Sequence, residues 1–416
     1  MNKKIIFILP NIYEIINGVS TKYIKFINFL SINYEIILMT SFQNNNTIDN
    51  IDKNDNIKLV KINGLNIPFY KEIKIPIIKY KDIEKQLINK DEIIIFNGEF
   101  IWMYNILIKL KKKYTDLKIY PTMHTDYVYY ANKVYSICNF TSTLNYLDHY
   151  LENKYFSGII VTGIKMQEKY SNYTNSIFNA NEINLDIFNS NKIDEYDLSN
   201  EPFLNFIYTG RISKEKNIEE IFSCISNIYE LLLKKYNNLD FMINIIGDGP
   251  YLDNLKSLLD IEFKNIKSKV SFHGSKTQIE INKIYQTLYN RIFIFTSISE
   301  TFGKTPLEAA ATGIPIFIKD CDNTNSLYKN KKDAFIFNNN NEFMELLEYF
   351  IKMDYLEKQI FISNSINNVK KYDQKIIFND WIDFLLNGKV TKNRTCLLYT
   401  SPSPRDRTRS RMPSSA

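Results

Sequence analysis

The sequence predicts an α/β chain built as two similar doubly wound halves, and three observations carry that prediction. Short apolar runs alternate with stretches of helical period along most of the chain. The alternation breaks off and restarts around Glu201-Pro202. In the second half, the apolar run Arg291–Ser297 feeds a loop that opens an alanine-rich helix. Strands alternating with helices give parallel sheets covered on both faces, with ligands taken at the carboxyl ends of the strands. A chain of 416 residues has the length of two domains with ordinary cores.

In the first half, Lys4 to Leu9 reads as a buried strand, being too short for a signal peptide or a span. Pro10 to Gly18 is a loop, and Ser20 is the expected N-cap of a helix over Thr21 to Leu30, with Tyr23, Ile24, Ile27 and Leu30 on one face. Further strands are expected at Tyr34–Met39, Ile57–Ile62, Glu92–Phe96, Leu117–Thr122 and Gly158–Val161, with helices at 100–113 and 128–153. Ser171 to Asn200 reads as a weakly structured linker. The second half predicts strands at Phe203–Tyr208, 240–246, Lys269–His273, 291–297 and 314–318, with helices at 217–235 and 251–260 between them. Ile376, Ile377, Trp381, Phe384 and Leu385 at helical spacing form a last helix over 373–388. The domains are therefore placed at 1–190 and 201–370.

Lysine and arginine outnumber aspartate and glutamate by 52 to 46, a net charge of +6. The surplus is uneven. Lys392, Arg394, Arg405, Arg407, Arg409 and Arg411 against Asp406 put most of it after residue 391 and leave the body near neutral. With no compact basic stripe outside that tail, nucleic-acid binding loses its main support. Arginine is almost absent before the tail (Arg211 and Arg291), and Ser-Pro-Ser-Pro-Arg-Asp-Arg-Thr-Arg-Ser-Arg resembles a translated vector or adapter scar. Residues 392–416 are read as a non-native or disordered tail; the other reading is a genuine basic tail that touches acidic membrane. Cys138, Cys224, Cys321 and Cys396 fit neither metal nor disulfide spacing, which favours a reducing, cytoplasmic compartment. No run reaches transmembrane length, so the chain is expected to be soluble or peripheral.

The chemistry concentrates between Ser297 and Gly313. Pro306 sits near the first turn of the predicted helix and Gly313 lies past its end. Gly303 lets backbone N–H groups face an anion at the helix start. Glu300 stands in the loop and Glu308 eight residues on, inside the helix. Either acid alone is equally well a surface residue at a helix start. Two of them around an anion-ready helix suit a ligand carrying both phosphate and hydroxyls, as a nucleotide sugar does. Arg211 and Lys216, five apart across a turn, can both converge on a diphosphate. Gly18, after the first strand, allows close backbone approach, although any strand-to-helix turn can hold a glycine. His124, followed by Thr125 and Asp126, lies at another strand end, and those two neighbours can orient an imidazole. Asp320-Cys321-Asp322 has the look of a metal motif, but its place after the next strand favours a structural role.

The setting S-x-x-E-T-F-G…L-E-A-x-A-x-G-x-P around Glu300 and Glu308 resembles the E-x7-E signature of the retaining glycosyltransferases of family 4, the glycosyl transferases group 1. Gly210-Arg211 with Lys216, Gly247-Asp248-Gly249-Pro250, Asn17-Gly18-Val19 and His124-Thr125-Asp126 extend the resemblance over residues 1 to about 390, most densely over 203–319. It implies the GT-B fold, two Rossmann-like domains facing across a cleft, with helix 373–388 crossing back to the first. It also implies a nucleoside-diphosphate-sugar donor, UDP- or GDP-linked, a glycan or lipid acceptor hydroxyl, and no cofactor or metal. By the same resemblance Arg211, Lys216 and the N–H groups near Gly18 and Gly303 receive the diphosphate. Glu308 takes the ribose, Glu300 with the backbone of Thr301 and Phe302 grips the sugar, and His124 completes the sugar pocket. Peripheral membrane contact is compatible with the aromatic residues near 127–130, as is simple core packing. Departures occur at Asn323-Thr324-Asn325-Ser326 and at Asn179-Ala180-Asn181-Glu182, neither of which the resemblance gives leaving-group chemistry. They leave open a degenerate homologue that binds without turnover, or a same-fold epimerase.

Overall fold

The computed structural model describes residues 3–10, 18–41, 55–67, 70–87, 92–98, 100–124, 155–171, 177–190, 202–236, 239–298, 300, 302–321 and 324–388. The expected helix at 128–153, residues Thr125, Asp126 and Thr301, and the whole basic tail lie outside the described residues.

The first sheet is made of β1 (Lys4–Ile8), β2 (Glu35–Thr40), β3 (Ile57–Lys61), β6 (Ile93–Asn97), β7 (Lys118–Met123), β8 (Ile159–Val161) and β9 (Ile177–Asn179). Between β3 and β6 the chain forms a separate antiparallel hairpin, β4 (Asn63–Ile67) with β5 (Tyr70–Ile77). The spatial order is β3-β2-β1-β6-β7-β8-β9, every pairing parallel. β1 and β6 are buried at every position, as strands covered on both faces must be. Helix α1 (Gly18–Ser31) packs Tyr23, Phe26, Ile27 and Leu30 on one face of the sheet, and α2 (Ile101–Lys113) packs Met103, Tyr104 and Leu107 on the other.

The second sheet holds β10 (Phe203–Thr209), β11 (Asp240–Ile246), β12 (Val270–Gly274), β13 (Arg291–Phe295), β14 (Ile316–Lys319) and β15 (Phe335–Phe337). Its order, β12-β11-β10-β13-β14-β15, is again all parallel, and it is the doubly wound arrangement in which the strand order reverses beside the first strand. Helices α3 (Glu219–Lys235), α4 (Leu252–Ile261), α5 (Gln278–Thr287), α6 (Lys304–Ala311), α7 (Asn340–Lys352) and α8 (Tyr355–Val369) belong to this half. Small side chains let α6 bury Leu307, Ala309, Ala310 and Ala311 against the sheet and Phe361 and Ile362 of α8.

The last helix, α9 (Gln374–Asn387), returns to the first sheet. Trp381 is fully buried and stacks on Phe26 of α1 with centroids 3.7 Å apart and planes 3° from parallel. The two chain crossings between the halves are bonded to each other: Ile183 donates its N–H to Tyr372 O (2.7 Å) and accepts from Gln374 N (2.8 Å).

Two expectations need correction, and one element went unread. Ser20 does not cap α1, because the helix already begins at Gly18 and encloses Ser20 in its first turn. Ser171–Asn200 is not weakly structured throughout. β9 is the edge strand of the first sheet, and Ile183 and Phe188 are buried in the second core, so apolar burial fixed this segment despite its polar composition. The β4–β5 hairpin went unread because Gly64 and Pro76, paired across it, are residues that argue against a strand.

Candidate functional site

The loops after β10 and β13 are neighbours because those strands pair across the point where the strand order reverses. After β10 the chain makes a short 3-10 turn, Lys214–Lys216, closed by Asn217 in the left-handed conformation (φ 50°). The loop after β13 is bonded directly onto this turn. Thr296 Oγ1 donates to Asn217 O (2.8 Å), Ser297 Oγ to Glu215 O (3.2 Å) and Ile298 N to Glu215 O (3.0 Å). That stitching carries Lys216 Nζ to 2.5 Å from Glu300 Oε2, with both side chains about one-fifth exposed. Arg211 lies five residues before Lys216 on the same loop, its side chain exposed and its carbonyl accepting from Tyr208 OH (2.9 Å).

A second turn supports this loop from below. Gly247 N donates to Gly274 O, Ile212 N to Asp248 O and Tyr251 N to Ile212 O. A Cβ on Gly247 would stand 1.9 Å from Gly210 O, and one on Gly249 would stand 2.2 Å from Ile212 O. The glycines of Gly247-Asp248-Gly249-Pro250 thus let the two turns touch backbone to backbone, which fixes the height of Arg211 and Lys216.

Gly303 precedes α6 in the left-handed region (φ 72°) and gives that helix no side-chain cap. Phe302 is buried and meets Tyr372 of the return crossing edge to face, centroids 5.1 Å apart. Pro306 falls at the third helical position, where its missing N–H costs nothing. Glu308 is buried (5% exposed) and accepts from Gln278 Nε2 at 2.8 Å. Burial pushes its carboxyl up from the ordinary value, while Lys304, Gln278 and Lys25 work against that rise.

In the first half, Gly18 is the first residue of α1. His124 follows β7 and is buried, with Nε2 2.5 Å from Tyr23 OH; that hydroxyl also donates to Thr122 Oγ1 (2.6 Å). Burial holds the imidazole well below its usual range, and the nearby Lys22 ammonium adds to this. His124 is therefore a neutral hydrogen-bonding group at pH 7. His273, at the end of β12, lies 2.9 Å by Nε2 from Asn244 Oδ1. Among the described residues no cluster of three or more His, Cys, Asp or Glu could hold a metal ion.

The structure brings Lys216 to Glu300, and through α6 it joins Glu308 to a group that sequence reading missed. Lys304 Nζ is 2.5 Å from Glu182 Oε1, and Glu182 is only 1% exposed. Lys25 Nζ donates to Gln278 Oε1 (2.6 Å), and Gln278 in turn donates to Glu308. Lys22 is 4% exposed, and the charges that act on it are those of Glu182 and Lys304. One signal was legible: Lys304 opens α6, and a cation at a helix N-terminus opposes the dipole unless an anion meets it. The anion is Glu182, placed there by the crossing at Ile183.

Burial pushes the Lys22 ammonium down to about 7, Lys304 pushes the same way, and Glu182 opposes them. The unfolded chain keeps the ordinary lysine value, so between about pH 7 and 10 it holds a proton that the folded chain releases. Stability should therefore rise with pH across that window, on the order of 4 kcal/mol in full. Unfolding midpoints of the wild type and Lys22→Met from pH 6 to 9 check this. The wild type should gain on the variant as pH rises, and parallel curves would refute it.

Residues 190–368 match the family model for glycosyl transferases group 1. The alpha-monoglucosyldiacylglycerol synthase of Acholeplasma laidlawii is 30% identical over 190 residues, which are 45% of this chain and 42% of that protein. The chain thus aligns with less than half the length of that curated relative. Among solved structures, the Anabaena protein HepE in complex with UDP superposes with a TM-score of 0.68 at 12% identity, covering 92% of this chain and 99% of HepE. Sucrose-phosphate synthase from Thermosynechococcus elongatus gives a TM-score of 0.69 at 14% identity, covering 92% of this chain and 98% of that one. Two parallel sheets, a return helix and the loops at the reversal of strand order are the parts of one known architecture: the chain has the GT-B fold, and its residues 190–368 match the glycosyl transferases group 1 model.

Proposed function

We propose that the protein is a retaining glycosyltransferase that moves a sugar from a nucleoside-diphosphate sugar to an acceptor hydroxyl on a glycan or lipid. The observation that carries the reading is the meeting of Lys216 and Glu300 at 2.5 Å beside the uncapped start of α6. A cation, an acid and a helix start without a side-chain cap in one place suit a ligand that presents phosphate and sugar alcohols together.

In this scheme Arg211, Lys216 and the N–H groups near Gly18 and Gly303 neutralise the departing diphosphate, the electrostatic contribution that dominates such transfers. Glu308 exchanges Gln278 for the ribose hydroxyls. Glu300, with the backbone at Thr301 and Phe302, holds the sugar, and neutral His124 donates or accepts a hydrogen bond without adding charge. Retention proceeds by front-face attack of the acceptor hydroxyl rather than through a covalent intermediate. The scheme needs no metal and no cofactor. HepE has been solved with UDP-glucose, and the Acholeplasma relative is named for a glucosylated diacylglycerol, which favours a UDP-linked hexose and a lipid acceptor. Among the described residues no helix is long and apolar enough to cross a membrane. We place the enzyme in the cytoplasm, meeting a lipid acceptor by peripheral contact.

Incubating purified protein with UDP-glucose and with GDP-mannose tests the reading. Slow release of nucleoside diphosphate, faster with an acceptor, is the expected result. A ligand at about 100 times its dissociation constant should also add roughly 2.7 kcal/mol of stability. Stabilisation without any turnover would instead favour a degenerate binding homologue, and neither effect would remove the proposal.

A further inference from the structure

We propose that Lys22, Lys25 and Lys304 form a second set of cations for the donor diphosphate, facing Arg211 and Lys216, and that Glu182 holds their place until the donor arrives. The inference rests on the donor reading above and extends it to residues of the first lobe.

Three observations lead to it. The first is a gathering of charges: buried Lys22 and part-buried Lys25 and Lys304 lie near two buried carboxylates, Lys304 bonded to Glu182 and Lys25 joined through Gln278 to Glu308. Burial favours the neutral form of Glu308 and also those of Lys22 and Lys25, so an arriving anion is what would hold these lysines in their charged form. Such a buried cluster calls for another anion. The second is incomplete pairing. Glu182 accepts from Lys304 through Oε1, while its Oε2 is buried and has no hydrogen-bond partner. Lys22 is 4% exposed, and the charges that act on it are those of Glu182 and Lys304.

The third observation is position along the ligand. Lys25 reaches Gln278, which occupies Glu308, the residue given to the ribose. Lys22, one turn earlier on α1, acts on His124, the residue given to the sugar. What lies between ribose and sugar in a nucleotide sugar is the diphosphate. Lys304 opens α6 directly after Gly303, where the helix N–H groups favour the same anion. Glu182 comes from the crossing between the lobes, so an arriving diphosphate competes with a carboxylate supplied by the hinge. Taking over Lys304 frees Glu182, which couples donor binding to the relation between the lobes.

Titration calorimetry of the full chain with inorganic pyrophosphate tests this without knowledge of the base or the sugar. Lys25→Met, which is half-buried and should fold, and Lys304→Met should each weaken binding about tenfold. Glu182→Gln should do the opposite: its unfolding midpoint falls, yet it binds pyrophosphate more tightly because an internal competitor is gone. If Glu182→Gln weakens binding together with the lysine variants, their role is structural and the inference fails. If the lysine variants bind like the wild type while Arg211→Ala binds more weakly, the inference also fails, and the donor reading stands. Absence of wild-type binding to pyrophosphate, UDP and GDP would overturn both.

Discussion

Replacing Lys216 by methionine should lower the turnover of sugar transfer by about a hundredfold or more. The ammonium lies 2.5 Å from Glu300 and is held there by the hydrogen bonds between the 3-10 turn and the loop after β13. In the proposed reaction the leaving diphosphate gains negative charge as the sugar departs. A cation already fixed in place stabilises that charge without reorganising, and the partial burial of the pair keeps water from screening it. An interaction made mainly in the transition state should lower kcat and kcat/KM together, whereas a contact made equally to bound donor should raise KM alone. Steady-state release of nucleoside diphosphate by Lys216→Met, Glu300→Gln and the double variant separates these cases. Two groups working as a unit should give a double variant little worse than the worse single one. A Lys216→Met enzyme with unchanged kcat would remove the crevice from the mechanism.

Trp381→Ala should destabilise the protein by about 3–5 kcal/mol, a large share of the 5–15 kcal/mol typical of a folded domain. Trp381 is fully buried in the seam where α9 lies against α1, stacked on Phe26 and on Phe178 of β9 and tilted against Tyr23. The indole also ties the last helix to a sheet that begins nearly four hundred positions earlier in the chain. Alanine would leave a cavity between two helices and a sheet edge, and the neighbouring Phe378 and Phe384 can fill it only in part. Urea unfolding should show an early transition of the first lobe, with the second lobe's transition little changed. A loss below about 1 kcal/mol would mean that α9 is not what holds this seam together.

Much of the fold was legible because its signals are local. β1 and β13 announce themselves as apolar runs, β10 and β11 as apolar runs interrupted only by Asn205 and Asn244, and α9 by the spacing of Ile377, Trp381, Phe384 and Leu385. The hairpin β4–β5 was not legible, since Gly64 and Pro76 contradict the pattern that a strand usually carries. The candidate site divides in the same way. Arg211, Lys216, Glu300, Gly303 and Glu308 stand in motifs dense enough to mark them. Glu182 sits in a polar stretch that departs from the family pattern, and nothing in its neighbours announces an ion pair.

By itself, the sequence determined two doubly wound halves, the turn glycines that let Gly247 and Gly249 pack beneath Gly210 and Ile212, and the loops where chemistry gathers. Periodicity, chain entropy and turn sterics act within a few residues, so they can be read from one strand of text. Only the tertiary structure decided which charges meet. Lys216 finds Glu300 across 84 positions, and Lys304 finds Glu182 across 122, because strand order and the Ile183 crossing bring them together. Burial then acts on two neighbouring groups, pushing Lys22 down and Glu308 up by removing water that the sequence alone would have left around them.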